Sequence, residues 1–116
     1  MRDDLAYLRH IADAIADIEK YTNDGRQDFF DNKIIQDAVI RNLVIIGEAV
    51  KNISPTIMLE YPDIPWKQIA GLRDILIHQY FGVDLETIWL VVEKRLPNLL
   101  KRIHFCLPHE RHKMIW

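Results

Sequence analysis

The chain has 116 residues, 49% apolar and 28% charged, with four Gly, five Pro and one Cys. That length suits one domain whose core can form without disulfides, and the apolar share excludes disorder. Fifteen basic against seventeen acidic residues leave a net charge of −2, so no global positive field draws in nucleic acid and any such contact must be local.

No repeat, low-complexity tract or linker divides the sequence, which is expected to form one helical domain over 1–116 with a polar tail at 109–116. Leu5, Leu8, Ile11, Ile15 and Ile18 recur at spacings of three and four, the period of an amphipathic helix. Asp3 is its expected cap and Asn23-Asp24-Gly25 its stop. After a short turn, Ile35, Val39, Leu43, Ile46, Val50 and Ile53 mark a second long helix closed by Ser54-Pro55. Residues 55–65 hold three prolines and predict a connector with one helical turn at Thr56–Tyr61. A third helix starts near Pro65-Trp66, since Pro suits a first helical position, and runs to about Tyr80. Phe81-Gly82-Val83-Asp84 reads as a stop, a turn and a new cap. Leu85, Ile88, Val92, Leu96, Leu99, Ile103 and Cys106 then carry one stripe past Pro97, where a kink is expected. Nothing alternates with period two for long. The expected fold is all-α, an up-and-down bundle of four main helices.

Residues 1–20 carry charge throughout, so no secretory signal is expected, and no apolar run approaches the ~20 residues that span a bilayer. The single thiol of Cys106 fits a reducing cytoplasm.

The third helix breaks the pattern. Trp66, Ile69, Arg73, Leu76 and Tyr80 share a face, which places a guanidinium inside an apolar stripe. Such a group must be paired or must face a wet cleft. Ile75 and Ile77 add apolar surface on other sides, so this helix is expected to be buried nearly all round, with a second subunit covering it. His78 lies about 140° from Arg73, near Lys67, Gly71 and Asp74. Asp74 precedes His78 by four residues, the spacing at which an ionised carboxylate would hold the imidazole's orientation. On a straight helix Arg73 and His78 cannot reach one small group. Either the helix ends near His78 or two copies meet and share a site.

Arg and His suit phosphodiester chemistry. Histidine exchanges a proton near neutral pH, and arginine offers a charged planar fork to a phosphate gaining charge in its transition state. RNA carries its own nucleophile, the 2′-hydroxyl, so no metal is required. By spacing alone, a structural salt bridge at Arg73 explains the same residues.

Arg73-Asp74-Ile75-Leu76-Ile77-His78-Gln79-Tyr80 resembles the Arg–polar–three residues–His–one residue–Tyr signature of HEPN-domain toxins, of the HepT-like branch in particular. Trp66-Lys67-Gln68-Ile69, Tyr80-Phe81-Gly82-Val83-Asp84, Gly47-Glu48-Ala49 and Ile88-Trp89 are similar to the same family, over roughly residues 3–105. The resemblance implies a homodimeric, metal-independent endoribonuclease, the toxin of a toxin–antitoxin pair, with RNA as substrate and no cofactor of its own. It places Arg73 and His78 as the catalytic pair at the dimer cleft, with Asp74 and Glu48 in support. Asp74 stands where the family often carries Asn, which adds a negative charge beside the site. Tyr80 would accept AMP from a cognate minimal nucleotidyltransferase antitoxin that uses ATP, and the added phosphate would compete with RNA for Arg73. A different class stays open: a non-catalytic helical module that binds nucleotides or a protein through the same cleft.

Other residues have plainer readings. Tyr80 also completes an apolar stripe, and Glu48 has the phase of a solvated face. Arg41 and Lys67 are candidate phosphate contacts or ordinary surface charges, and Trp66 and Trp89 have core spacing. His104, Cys106, His109 and His112 fit no usual closed zinc spacing, so no metal site is expected.

Overall fold

The computed structural model describes residues 3–107, the side chain of Tyr80 excepted. The expectations for the tail, including His109, His112 and Trp116, lie outside the described residues. Among the described residues there is no strand. Helices α1 (Asp4–Tyr21), α3 (Lys33–Lys51) and α5 (Trp66–His78) alternate with shorter α2 (Arg26–Asp31) and α4 (Pro55–Glu60). A 3₁₀ turn (Tyr80–Gly82) leads to α6 (Leu85–Leu90), a π-helical segment (Val91–Arg95) and α7 (Leu96–Cys106), which continue one another as the fourth main helix. None of these helices is long and apolar enough to cross a membrane.

Helix α3 lies between α1 and α5 and packs on both, while α7 closes against α1. The apolar stripes meet there. Leu8, Ile11, Ile15 and Ile18 of α1, Val39, Ile46 and Val50 of α3, and Ile88 and Ile103 of the last helix are almost wholly buried. Leu5, placed in the first stripe by its spacing, instead lies on the exposed edge of α1. Trp66 and Trp89 are core residues as expected, and the Trp66 indole donates to the Tyr61 carbonyl at 3.0 Å.

Short α2 replaces the expected simple turn. Gly25 opens it at φ 94°, a conformation that favours glycine, and Phe29 packs on Trp89 with ring centres 5.4 Å apart. Helix α3 starts at Lys33 because the Asn32 side chain accepts the Ile34 N–H at 2.9 Å. The break expected at Pro97 takes a specific form. Pro97 cannot donate to the carbonyl of residue 93, and the preceding turn widens so that the Leu96 N–H reaches Val91 O, five residues back.

Asp3 sits at the N-cap of α1, yet its side chain caps nothing. The neighbouring carboxylate is the structural one. Asp4 is buried and accepts from the Ser54 N–H at 2.9 Å and the Ser54 hydroxyl at 2.7 Å, tying the start of α1 to the α3–α4 junction. Burial pushes the Asp4 carboxyl up, but the Ser54 hydrogen bonds outweigh it and hold it below its ordinary value. A depressed carboxyl stabilises the fold above its unfolded-state value, and that contribution disappears as pH falls through the folded one. Asp4→Ala is therefore expected to cost about 1–3 kcal/mol at pH 7. Urea denaturation of both proteins should show the gap narrowing below the ordinary carboxylate range.

Candidate active site

The site forms where α3 crosses α5. Gly47 makes the crossing possible. A β-carbon there would overlap that of Arg73 and stand 2.9 Å from its Cγ and 3.3 Å from its Cα. The bare backbone of α3 thus seats the base of the Arg73 side chain, which is 20% exposed.

Arg73 is paired, as its place in an apolar stripe requires. Its Nη2 donates to Glu48 Oε2 at 2.6 Å and its Nη1 to Asp74 Oδ1 at 2.9 Å. Lys51, at the end of α3, brings its Nζ to 2.8 Å from the same Asp74 Oδ1. Two cations and two carboxylates therefore form one chain, Lys51–Asp74–Arg73–Glu48, across the two helices. The hydrogen bond to Glu48, then that to Asp74, raises the Arg73 guanidinium above its ordinary value. Lys51, then Arg73, holds the Asp74 carboxyl below its own. The Arg73 Nε–H is buried with no partner among the described residues, so this arrangement leaves one donor unmet there.

His78 is the last residue of α5 and is exposed. The helix ends there, which meets one of the two geometric conditions for Arg73 and His78 to serve a common group. The expected Asp74–His78 contact does not form. Asp74 is taken by Lys51 and Arg73, and the imidazole makes no hydrogen bond to any described residue. Two cations already at hydrogen-bond distance hold the carboxylate by charge-assisted bonds. The backbone then turns through Tyr80–Gly82, where the Gly82 N–H bonds the Gln79 carbonyl at 2.9 Å. The Tyr80 side chain lies outside the described residues.

Glu48 thus pairs with Arg73 although half exposed, and its helical phase alone suggested a solvated face. Lys51, which the sequence did not single out, joins this charge cluster through Asp74. Its signal is its position four residues after Gly47, on the same edge of α3. Arg41 and Lys67 lie exposed on the surface. Cys106 is buried and His104 exposed, and among the described residues no three metal-ligating side chains gather.

Within the single chain α5 is not buried all round, the cover expected there being a second subunit. Only Trp66 and Leu76 of this helix are buried within the chain, while Ile75 and Ile77 stay 53% and 43% exposed. Beside Ile75 runs a groove of about 820 Å³ between α5 and the last helix, walled by Ile69, Leu72 and Leu99 with Lys94 and Arg95 at its edge.

Residues 11–104 match the family model described as ribonuclease HepT-like. The chain belongs to that family. A Methanocaldococcus jannaschii protein named provisionally as an RNase is 47% identical over 103 residues, covering 88% of this chain and 85% of the relative. A Thermococcus cleftensis protein, named provisionally as ribonuclease HepT, is 48% identical over 94 residues, covering 80% and 86%. A second M. jannaschii protein is 51% identical over 105 residues and 89% of this chain. Its name joins gamma-glutamylcyclotransferase to a provisional RNase, and the chain spans only 47% of its length. No solved structure matches. In this HepT-like chain Arg73 lies where the two helices gather charge, and His78 ends α5.

Proposed function

We propose that the chain is a metal-independent endoribonuclease, the toxin of a toxin–antitoxin pair, whose catalytic residues are Arg73 and His78. One observation carries the reading: a guanidinium seated against the backbone of Gly47, with an exposed imidazole ending the same helix. His78 takes the proton of a ribose 2′-hydroxyl, whose oxygen attacks the adjacent phosphorus, or returns a proton to the departing 5′-oxygen. Arg73 turns from a carboxylate to the phosphate as its charge grows. Asp74 and Glu48 hold the guanidinium in place until then. The test is incubation of the purified chain with total RNA in EDTA. Cleavage is expected, and intact RNA at high enzyme concentration would remove the reading.

The same proposal includes a homodimer whose second copy covers the exposed Ile75 and Ile77 and places a second Arg73–His78 pair at a shared cleft. Two copies make one imidazole available for each proton transfer. Tyr80, two residues beyond His78, is proposed as the AMP acceptor for a partner nucleotidyltransferase acting with ATP. Native mass spectrometry after co-expression with such a partner reads both points. Twice the chain mass, with increments of AMP mapping to Tyr80, is expected; a bare 13.7 kDa monomer would count against both.

A further inference from the structure

We propose that Lys51 is a positioning residue which draws Asp74 away from Arg73 when a phosphate binds. This rests on the reading of Arg73 as the phosphate-binding group.

The resting site is occupied by its own carboxylates. Both accessible ends of the guanidinium donate to oxygens, Nη2 to Glu48 at 2.6 Å and Nη1 to Asp74 at 2.9 Å. A phosphate must displace one of them, and the carboxylate that leaves needs another cation nearby. The two are not equivalent. Glu48 has no second cation among the described ion pairs, whereas Asp74 Oδ1 is already shared with Lys51 Nζ at 2.8 Å. When Nη1 turns to a phosphate, Asp74 keeps a full counter-ion at the same oxygen. The exchange then leaves no carboxylate uncompensated beside the incoming negative charge.

Place in the fold supports the assignment. Lys51 ends α3, where the helix carbonyls favour a cation, and it lies one turn beyond the Gly47 seat. Its side chain and that of Asp74 are 38% and 45% exposed, so the pair can shift without opening the core. Arg73 keeps a buried Nε–H with no partner among the described residues, so the resting clamp does not satisfy the guanidinium fully.

The test uses the whole chain, inorganic phosphate as probe and the Arg73 Nε–H NMR resonance as readout. Thermal melts alongside confirm that each variant folds. Lys51→Met is expected to raise the phosphate concentration for half-saturation by roughly threefold to tenfold, because Asp74 then has only Arg73 to hold. Adding Asp74→Asn to that variant is expected to return binding to near the wild-type value. In RNA cleavage Lys51→Met alone should raise KM and leave kcat nearly unchanged. Unaltered phosphate binding in Lys51→Met would overturn the proposal. So would a double variant that stays weak, since Lys51 would then be holding the phosphate itself. The phosphate titration needs no RNA cleavage, so it can fail or succeed independently of the ribonuclease reading.

Discussion

Replacing His78 with alanine is expected to lower RNA cleavage by about 10²- to 10⁴-fold, the usual worth of a positioned proton-transfer group. The fold should hardly notice. The imidazole is exposed at the end of α5 and bonds no described residue, so the stability change should stay within about 0.5 kcal/mol. That separation makes His78 a better probe than Arg73. Arg73→Ala is also expected to remove cleavage, but it strips Glu48 and Asp74 of a shared counter-ion and empties the space beside Gly47. Rate measurements with urea midpoints for His78→Ala decide the matter. Full activity in a folded variant would remove the imidazole from the chemistry.

The second large effect is at Gly47. Two terms oppose each other in Gly47→Ala. Alanine favours a helix by about 1 kcal/mol over glycine. Against that, the new methyl meets the Cβ of Arg73, an atom fixed to its own backbone that cannot swing aside. Helices α3 and α5 must part, and such overpacking costs typically about 1–3 kcal/mol. The clash is expected to win, with a lower melting temperature and reduced cleavage because Arg73 leaves its seat. Gly71 on α5 is the control, since a β-carbon there meets nothing within 4 Å. Gly71→Ala should follow helix propensity alone and stabilise the chain. Equal stabilisation by both substitutions would show that the close approach is not what sets the crossing.

The long helices were legible because their apolar residues keep the helical period for about three turns or more, as Leu8, Ile11, Ile15 and Ile18 do in the core of α1. Helix α2 was not, since six residues with one buried side chain, Phe29, have no period to read. Capping failed where it depended on distance. Asp3 had the right residue type locally, but the bonds were made by Asp4 to Ser54, fifty residues away. The same limit applied at the site. Arg73 announced a need for partners by standing in an apolar stripe, and a stripe says nothing of which carboxylate answers. Glu48 answers from 25 residues away, and Lys51 claims the Asp74 that helical spacing had assigned to His78. Local spacing lists the possible contacts within one helix, and charges on the neighbouring helix choose among them. Ile75 and Ile77 stay exposed because α3 and the last helix do not reach around α5, and the sequence had expected a second subunit, not this chain, to cover them.

Arg73 and His78 are proposed to let the RNA's own 2′-hydroxyl break the adjacent phosphodiester. The chemistry at the ends of the fragments formed in EDTA tests it most directly. Attack by the 2′-oxygen leaves a 2′,3′-cyclic phosphate on one fragment and a 5′-hydroxyl on the other, and these ends are predicted. Fragments carrying 5′-phosphates would mean that water, not the ribose, attacked, and would contradict the account.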